Sequence, residues 1–285
     1  VYHLDIAISD DMTTVEGRQT VFYTNQEDVA LSEIVFHLHP NLLDSAITVS
    51  DLTVDGVAAS TALSGAAQSI LTVALPAPLP PGGAATVDLR FRTEVATEIG
   101  RNYGVLAFTD GILALAHFYP MLSVYDETGW NTAEADIQGD LTFSDAGYYL
   151  VRVSAPAGVV VVASGVALSD TQFASLSNGA AASEENALSQ GTRSSPTIYA
   201  VGPARDFYLA AGDFAVVSDT VGGTTINSYA PAERADGAAL ALDVAAATMT
   251  VNEARLSPYP YTELDIVTTP TAALGIEYPG LIVGT

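Results

Sequence analysis

The chain contains no cysteine, so neither a disulfide nor a thiolate metal site can form within it. Lysine is missing as well, and all nine basic residues are arginine. Against them stand 33 acidic residues, for a net charge of -24 at pH 7. A surface this negative repels phosphate backbones, which argues against nucleic acid as a partner. Solubility in a salty or extracytoplasmic setting is one meaning of that charge, and steering of cationic substrates is another. No apolar run approaches the ~18–20 residues of a membrane-spanning helix. Val1 opens directly into a strand pattern, so no leader peptide is read, and a signal or anchor upstream of Val1 is left open. An extracytoplasmic or membrane-associated location is expected over a cytoplasmic one.

What is present is ample core material. The 285 residues are 49% hydrophobic, which suits two domains of about 100–200 residues each. Tyr2, Leu4, Ile6 and Ile8 alternate with polar or small residues, the period of a half-buried strand. Thr14 to Asn25, Ile34 to Leu38, Ile47 to Val54, Ile70 to Leu75 and Ala85 to Val95 continue the series. Pro76 to Gly83 reads as a turn region. Ile112 to Tyr119 is nearly all apolar and reads as a buried central strand ending at Pro120. Tyr148 to Val153 and Val159 to Ala163 read as a hairpin joined by Pro156-Ala157-Gly158, and Ser175 to Ser195 as a long surface loop holding Glu184-Glu185 as solvated charge. Short strands at this spacing predict an antiparallel β-sandwich over residues 1–211.

From residue 212 the pattern changes. Phe214 to Ser218 and Thr224 to Tyr229 read as strands, with Val221-Gly222-Gly223-Thr224 as a hairpin turn. Pro231 to Ala254 reads as a long helix. Leu240, Val244, Ala247 and Val251 mark its apolar stripe, widened by Leu242, Ala245 and Met249. The last stretch carries a strand, Glu263 to Val267, then Gly275-Ile276-Glu277-Tyr278-Pro279-Gly280-Leu281-Ile282. A glycine inside a strand marks close approach of another backbone, and a carboxylate beside it can hold a cation. A peptide offers both a backbone for an edge strand and an ammonium at its amino end.

The segment Gly275-Ile276-Glu277-Tyr278-Pro279 resembles the Gly-x-Met-Glu-Asn or Gly-x-Met-Glu-Tyr-Pro signature of the aminopeptidase N family of zinc metallopeptidases, with Ile276 where Met is usual. Tyr23-Thr24-Asn25, Phe36-x-Leu38-x-Pro40-Asn41 and Phe118-Tyr119-Pro120 are similar to that family's saddle-shaped β-domain. Gly129-Trp130, Gly139-Asp140 and Pro203-Ala204-Arg205-Asp206-Phe207 are similar to its bacterial branch. The resemblance implies a mainly β chain: a saddle-like antiparallel β-sandwich over 1–211, then the truncated start of a thermolysin-like α/β catalytic domain over 212–285. It implies that Glu277 binds the free amino group of a peptide substrate, with Gly275, Ile276 and Tyr278 beside it. It implies zinc in the intact parent, held by an H-E-x-x-H helix that follows the signature. That helix is not in these residues, so no zinc and no peptide hydrolysis are expected of this chain itself. Self-association through the cut edge of the second domain is expected. A non-catalytic peptide- or protein-binding scaffold and a stand-alone β-rich surface module are the alternatives.

Other polar residues have plainer readings. His37 and His39 lie two apart, so both project from one face of a strand. Two imidazoles can begin a metal site, but no third ligand follows by spacing, which favours an inter-strand polar role. His117 reads as a core histidine satisfied by a backbone group, or as lining the cleft between the domains. Arg205 and Asp206 read as local salt-bridge partners.

Overall fold

The computed structural model describes residues 1–133, 141, 143–169, 171–173 and 195–285. The chain is mainly β, as the alternating apolar pattern requires. Its largest sheet has eight strands in the order Val166–Leu168, Thr197–Ala204, Gly147–Ser154, Tyr2–Ile8, Thr14–Thr24, Ala84–Glu94, Ala46–Val54, Val57–Ala58. Its pairs are antiparallel except Tyr2–Ile8 with Gly147–Ser154. A four-stranded sheet, in which Leu31–His37 pairs with Ile70–Leu79, packs across it. Leu4, Ile6, Val21, Leu89 and Phe91 from the first sheet share one buried cluster with Ile34, Phe36 and Val73 from the second. Those residues occupy alternate positions along their strands, which puts one face of each sheet into a common core.

Several sequence expectations shift here. The strand expected to stop before Pro76 runs on through Pro76 and Pro78 to Leu79. It tolerates them because its pairing with Leu31–His37 is irregular there, so no ladder amide is lost. Gly147–Ser154 and Val160–Ala163 are not a hairpin. The first lies in the eight-stranded sheet, the second in another four-stranded sheet with Leu209–Gly212, Ile112–Leu115 and Leu106–Thr109. The buried run from Ile112 does supply a central strand, but the strand ends at Leu115. His117 has φ 53, a left-handed conformation that no strand continues through. Ser175 to Ser195, with Glu184 and Glu185, and the pair Gly139-Asp140 fall almost wholly outside the described residues.

The carboxyl-terminal part is a five-stranded mixed sheet in the order Ala215–Val221, Thr224–Ala230, Glu263–Thr268, Leu281–Gly284, Gly275–Tyr278. Val221 pairs with Thr224 across the expected Gly-Gly turn. Thr224–Ala230 and Glu263–Thr268 run parallel, and parallel neighbours need a crossover. The helix Ala235–Arg255 supplies it.

The helix turns to the sheet only part of the expected stripe: Leu242, Ala245 and Met249 pack, the other four do not. Leu240, Val244 and Val251 are 64%, 57% and 47% exposed, and Ala247 is exposed too. The packed face is Ala238, Leu242, Ala245, Ala246 and Met249, the last against Ile226 and Leu264. Small residues at helical spacing let the helix lie close to the sheet. No helix among the described residues is long and apolar enough to cross a membrane, which does not bear on strands.

Candidate functional site

The stretch Gly275 to Ile282 is two strands rather than one. Gly275–Tyr278 and Leu281–Gly284 form a hairpin, with Gly275 opposite Gly284 and Tyr278 opposite Leu281. Between them lie Pro279 and Gly280, and Gly280 has φ 74. Pro then a left-handed Gly is the type II turn pattern. The second strand of the hairpin pairs with Glu263–Thr268, so Gly275–Tyr278 is left at the margin of the sheet.

Residues paired directly across strands share a face. Glu277 pairs with Ile282, and Ile282 with Ile266. Both isoleucines pack into the cluster beneath the helix. Glu277 therefore stands on the helix side of the sheet, exposed, at its outermost strand. Tyr278 faces the other way. It is buried and stacks on Tyr208, ring centroids 4.6 Å apart, in a cluster with Val267, Leu281 and Val283. Ile276 is half-buried against that cluster. So of the four residues singled out on this strand, one presents a charge outward and two hold the strand against the β-region.

Gly275 has a distinct position. A methyl group built there meets only the carbonyl of Val283 at 3.6 Å, an ordinary contact. Among the described residues nothing requires glycine at this point. Its bareness matters only for what approaches the sheet margin from outside.

Another carboxylate, not singled out in the sequence, lies on the inner face. Asp265 is 4% exposed and pairs with Asn227 and Leu281. Asn227 Nδ2 donates to its Oδ1 at 2.9 Å. Burial raises its pKa to about 7, with neighbouring Glu263 adding to the rise and the Asn227 bond opposing it. The signal was available: Leu264-Asp265-Ile266-Val267 places an acid inside an apolar strand.

In the β-region the histidines gather. The rings of His37 and His39 stack with centroids 5.1 Å apart, and His39 meets His117 edge-on at 5.5 Å. His117 Nε2 lies 3.4 Å from Asp206 Oδ2. Arg205 makes no ion pair with Asp206; its Nη1 donates to the carbonyl of Ser144 at 3.0 Å. Burial lowers the pKa of His37 and lowers that of His39 well below the usual range, with the imidazoles of His117 and His37 adding to the second shift. His37 Nε2 donates to the Asn131 carbonyl at 3.0 Å. Rings stacked face to face do not converge their nitrogens on one point. Among the described residues no group of three or more His, Asp or Glu is arranged to hold a metal ion.

A depression of about 180 Å³ lies elsewhere, on the eight-stranded sheet beside Glu16, Thr48, Ser50, Arg90 and Arg92. Its charges are already paired: Arg92 with Glu16 and Glu94, Arg90 with Asp51. We assign it no role.

No protein-family model matches the chain, and no curated protein does. Solved structures do. A mutant M1 zinc metallopeptidase from Deinococcus radiodurans aligns with TM-score 0.69 and 18% identity, over 99% of this chain and 59% of that one. A mutant of that peptidase bound to a Tyr-Ser-Ala substrate aligns with TM-score 0.67 and 18% identity, over 100% and 59%. A two-domain M1 zinc metallopeptidase mutant bound to L-tryptophan gives 0.67 and 18%, over 100% and 59%. The chain thus has the fold of these peptidases along its whole length, and spans 59% of theirs.

Proposed function

We propose that this chain is part of an M1-type zinc aminopeptidase, in which residues 1–211 form the β-domain and residues 212–285 open the catalytic domain. In this reading Glu277 grips the free amino group of a peptide whose backbone lies along the sheet margin. Gly275 keeps that margin bare, and Ile276 and Tyr278 brace the strand from its inner face. Zinc would be held by residues beyond those described, where it would activate water for attack on the first peptide bond.

One observation carries the proposal. An exposed carboxylate stands on the outermost strand of a mixed sheet, two residues from a glycine the fold itself does not need, in a chain with the fold of M1 zinc metallopeptidases. An extended peptide can add to such an edge through main-chain hydrogen bonds. A carboxylate then selects the end that carries an ammonium, through a charge-assisted hydrogen bond about twice as strong as a neutral one.

The test is a nuclear magnetic resonance titration of this chain with trialanine and with N-acetyl-trialanine. Trialanine should shift the Glu277 amide and the acetylated peptide should not. Glu277→Gln should weaken trialanine binding roughly ten- to hundredfold, the loss expected for one hydrogen bond to a charged group. Equal binding of the two peptides, or unchanged binding by the variant, would overturn the reading.

A further inference from the structure

Besides the packing of Ile276 and Tyr278, the segment entering the strand that carries Glu277 is tied to the β-region through the Tyr103 carbonyl. Tyr103 has φ 51 and Gly104 has φ 78, two left-handed residues in succession. Asn102, fully buried, builds this turn: its Oδ1 accepts from the Gly104 amide at 2.7 Å, and its Nδ2 donates to the Glu98 carbonyl at 3.1 Å. Next to it, Arg101 is held by Asp44 through its backbone amide and its guanidinium, each at 2.8 Å. The turn is thereby fixed to the β-region before it meets anything else.

The carbonyl of Tyr103 then accepts two bonds from the segment that enters the Glu277 strand. Thr271 Oγ1 donates at 2.8 Å and the Ala272 amide at 2.9 Å. Gly104 permits the approach, because a methyl group there would lie 2.5 Å from the Pro270 carbonyl. The entering segment is itself stiff. Thr269 N donates to Gly284 O, Thr271 N to Thr269 O and Gly275 N to Ala273 O, each at 2.8 Å. Thr269 and Thr271 are buried. Only Leu274, 81% exposed with φ 66, lies between these bonded residues and Gly275 without a bond of its own among the described residues.

We propose that Thr271 and Gly104 are positioning residues for amino-group recognition: the Asn102–Gly104 turn clamps the segment Thr269–Ala273 and so sets where the Glu277 carboxylate stands relative to the β-region. The recognition half of this inference rests on Glu277 being the amine anchor; the clamp half does not. Residues 168 positions apart are joined, so a change in the β-region reaches the anchor without touching the peptide.

The experiment compares this chain with Thr271→Val, Thr271→Ser, Gly104→Ala and Glu277→Gln. Amide hydrogen exchange over residues 275–284 and trialanine binding are measured on each. Thr271→Val, which loses both the bond to the Tyr103 carbonyl and the bond that Oγ1 accepts from the Ala273 amide at 3.1 Å, should speed exchange there at least roughly three- to tenfold, and weaken trialanine binding. Thr271→Ser, which keeps the hydroxyl, should restore both. Gly104→Ala should act in the same direction as Thr271→Val, which keeps the clamp testable should that variant fold poorly. Unchanged exchange in Thr271→Val, or failure of serine to restore it, would overturn the clamp. Faster exchange in Thr271→Val with unaltered binding in Glu277→Gln would support the clamp and overturn the amine reading alone.

Discussion

The eight-stranded sheet finishes at both sides on short pieces, Val57–Ala58 and Val166–Leu168, while the five-stranded sheet finishes on Gly275–Tyr278 with a charged residue facing out. Short outer strands are a common defence against unwanted pairing. The first sheet uses them at both margins. The second ends on a four-residue strand that holds a glycine. The two regions also differ in depth of core. Around the large sheet, Phe118, Tyr119 and Phe207 are all fully buried in one extensive cluster, whereas the helix side of the small sheet buries Ile226, Met249 and Leu264 and little else fully.

They differ again in how protons act on them. Asp265 binds a proton more tightly folded than unfolded, since its pKa rises from 3.8 to about 7. Its contribution is full below pH 4 and is lost as pH climbs through 7. His39 behaves oppositely. Its folded pKa lies well below the ordinary imidazole value of 6.5, so the folded state loses ground as pH falls from 6.5 toward the lowered value. The small sheet resents alkali and the β-region resents acid, and over the shared window the two slopes offset each other.

Four measurements would sharpen or break this contrast. The largest effect is expected from Phe118→Ala. Phe118 is fully buried, its ring meeting Tyr119 edge-on at 5.2 Å. Urea unfolding should show a loss of about 3–5 kcal/mol. Met249→Ala, 5% exposed under the helix, should lie nearer the lower end of the about 2–5 kcal/mol range for such changes. A larger loss for Met249 than for Phe118 would break the comparison of cores. Next comes Asp265→Asn, which keeps an acceptor for Asn227. It should stabilise the protein at pH 8 by on the order of 2–4 kcal/mol and change little at pH 4. Equal effects at both values would show the acid to be unperturbed.

Third, His39→Leu should flatten the acid side. In the native protein His39 Nδ1 is buried without a hydrogen-bond partner among the described residues, so no bond is lost. Thermal unfolding below pH 6.5 should depend less steeply on pH in the variant, by up to about 1.4 kcal/mol per pH unit, the limiting slope for one proton. An unchanged profile would remove the histidines from the contrast. The smallest effect is expected from Glu16→Gln. Its bridge to Arg92 joins two half-exposed side chains on the outer sheet face, where ion pairs contribute about 0–1 kcal/mol. A loss of several kcal/mol there would mean that this face is far less solvated than its exposure implies.

Much of the fold could be read from residue order because it rests on local alternation. Tyr2, Leu4, Ile6 and Ile8 announce a face regardless of what covers it. The phase of the helix could be read only in part. Leu242, Ala245 and Met249, expected on its apolar stripe, face the sheet together with Ala238 and Ala246, while Leu240 and Val244 point outward. Apolar spacing alone fitted both sets of residues, and the packing against Ile226 and Leu264 chooses between them. The strand that holds Glu277 was legible through its glycine and neighbouring turn residues. That Gly275 to Ile282 is a hairpin was also written there, in Pro279-Gly280. The contact of His117 with Asp206 and of Tyr103 with Thr271 was not, since nothing local encodes a meeting between residues 89 and 168 positions apart.

The outward row of Leu240, Val244 and Val251 has a colloidal consequence. Copies of a chain carrying -24 charges repel one another over the Debye length, about 10 Å at 0.1 M salt and 3 Å at 1 M. Dilute buffer keeps the greasy ribbons of two molecules apart by electrostatic range alone, and brine withdraws that protection while strengthening the ribbons' mutual attraction. Purification by salt-driven adsorption to a hydrophobic resin should therefore catch this protein by its helix.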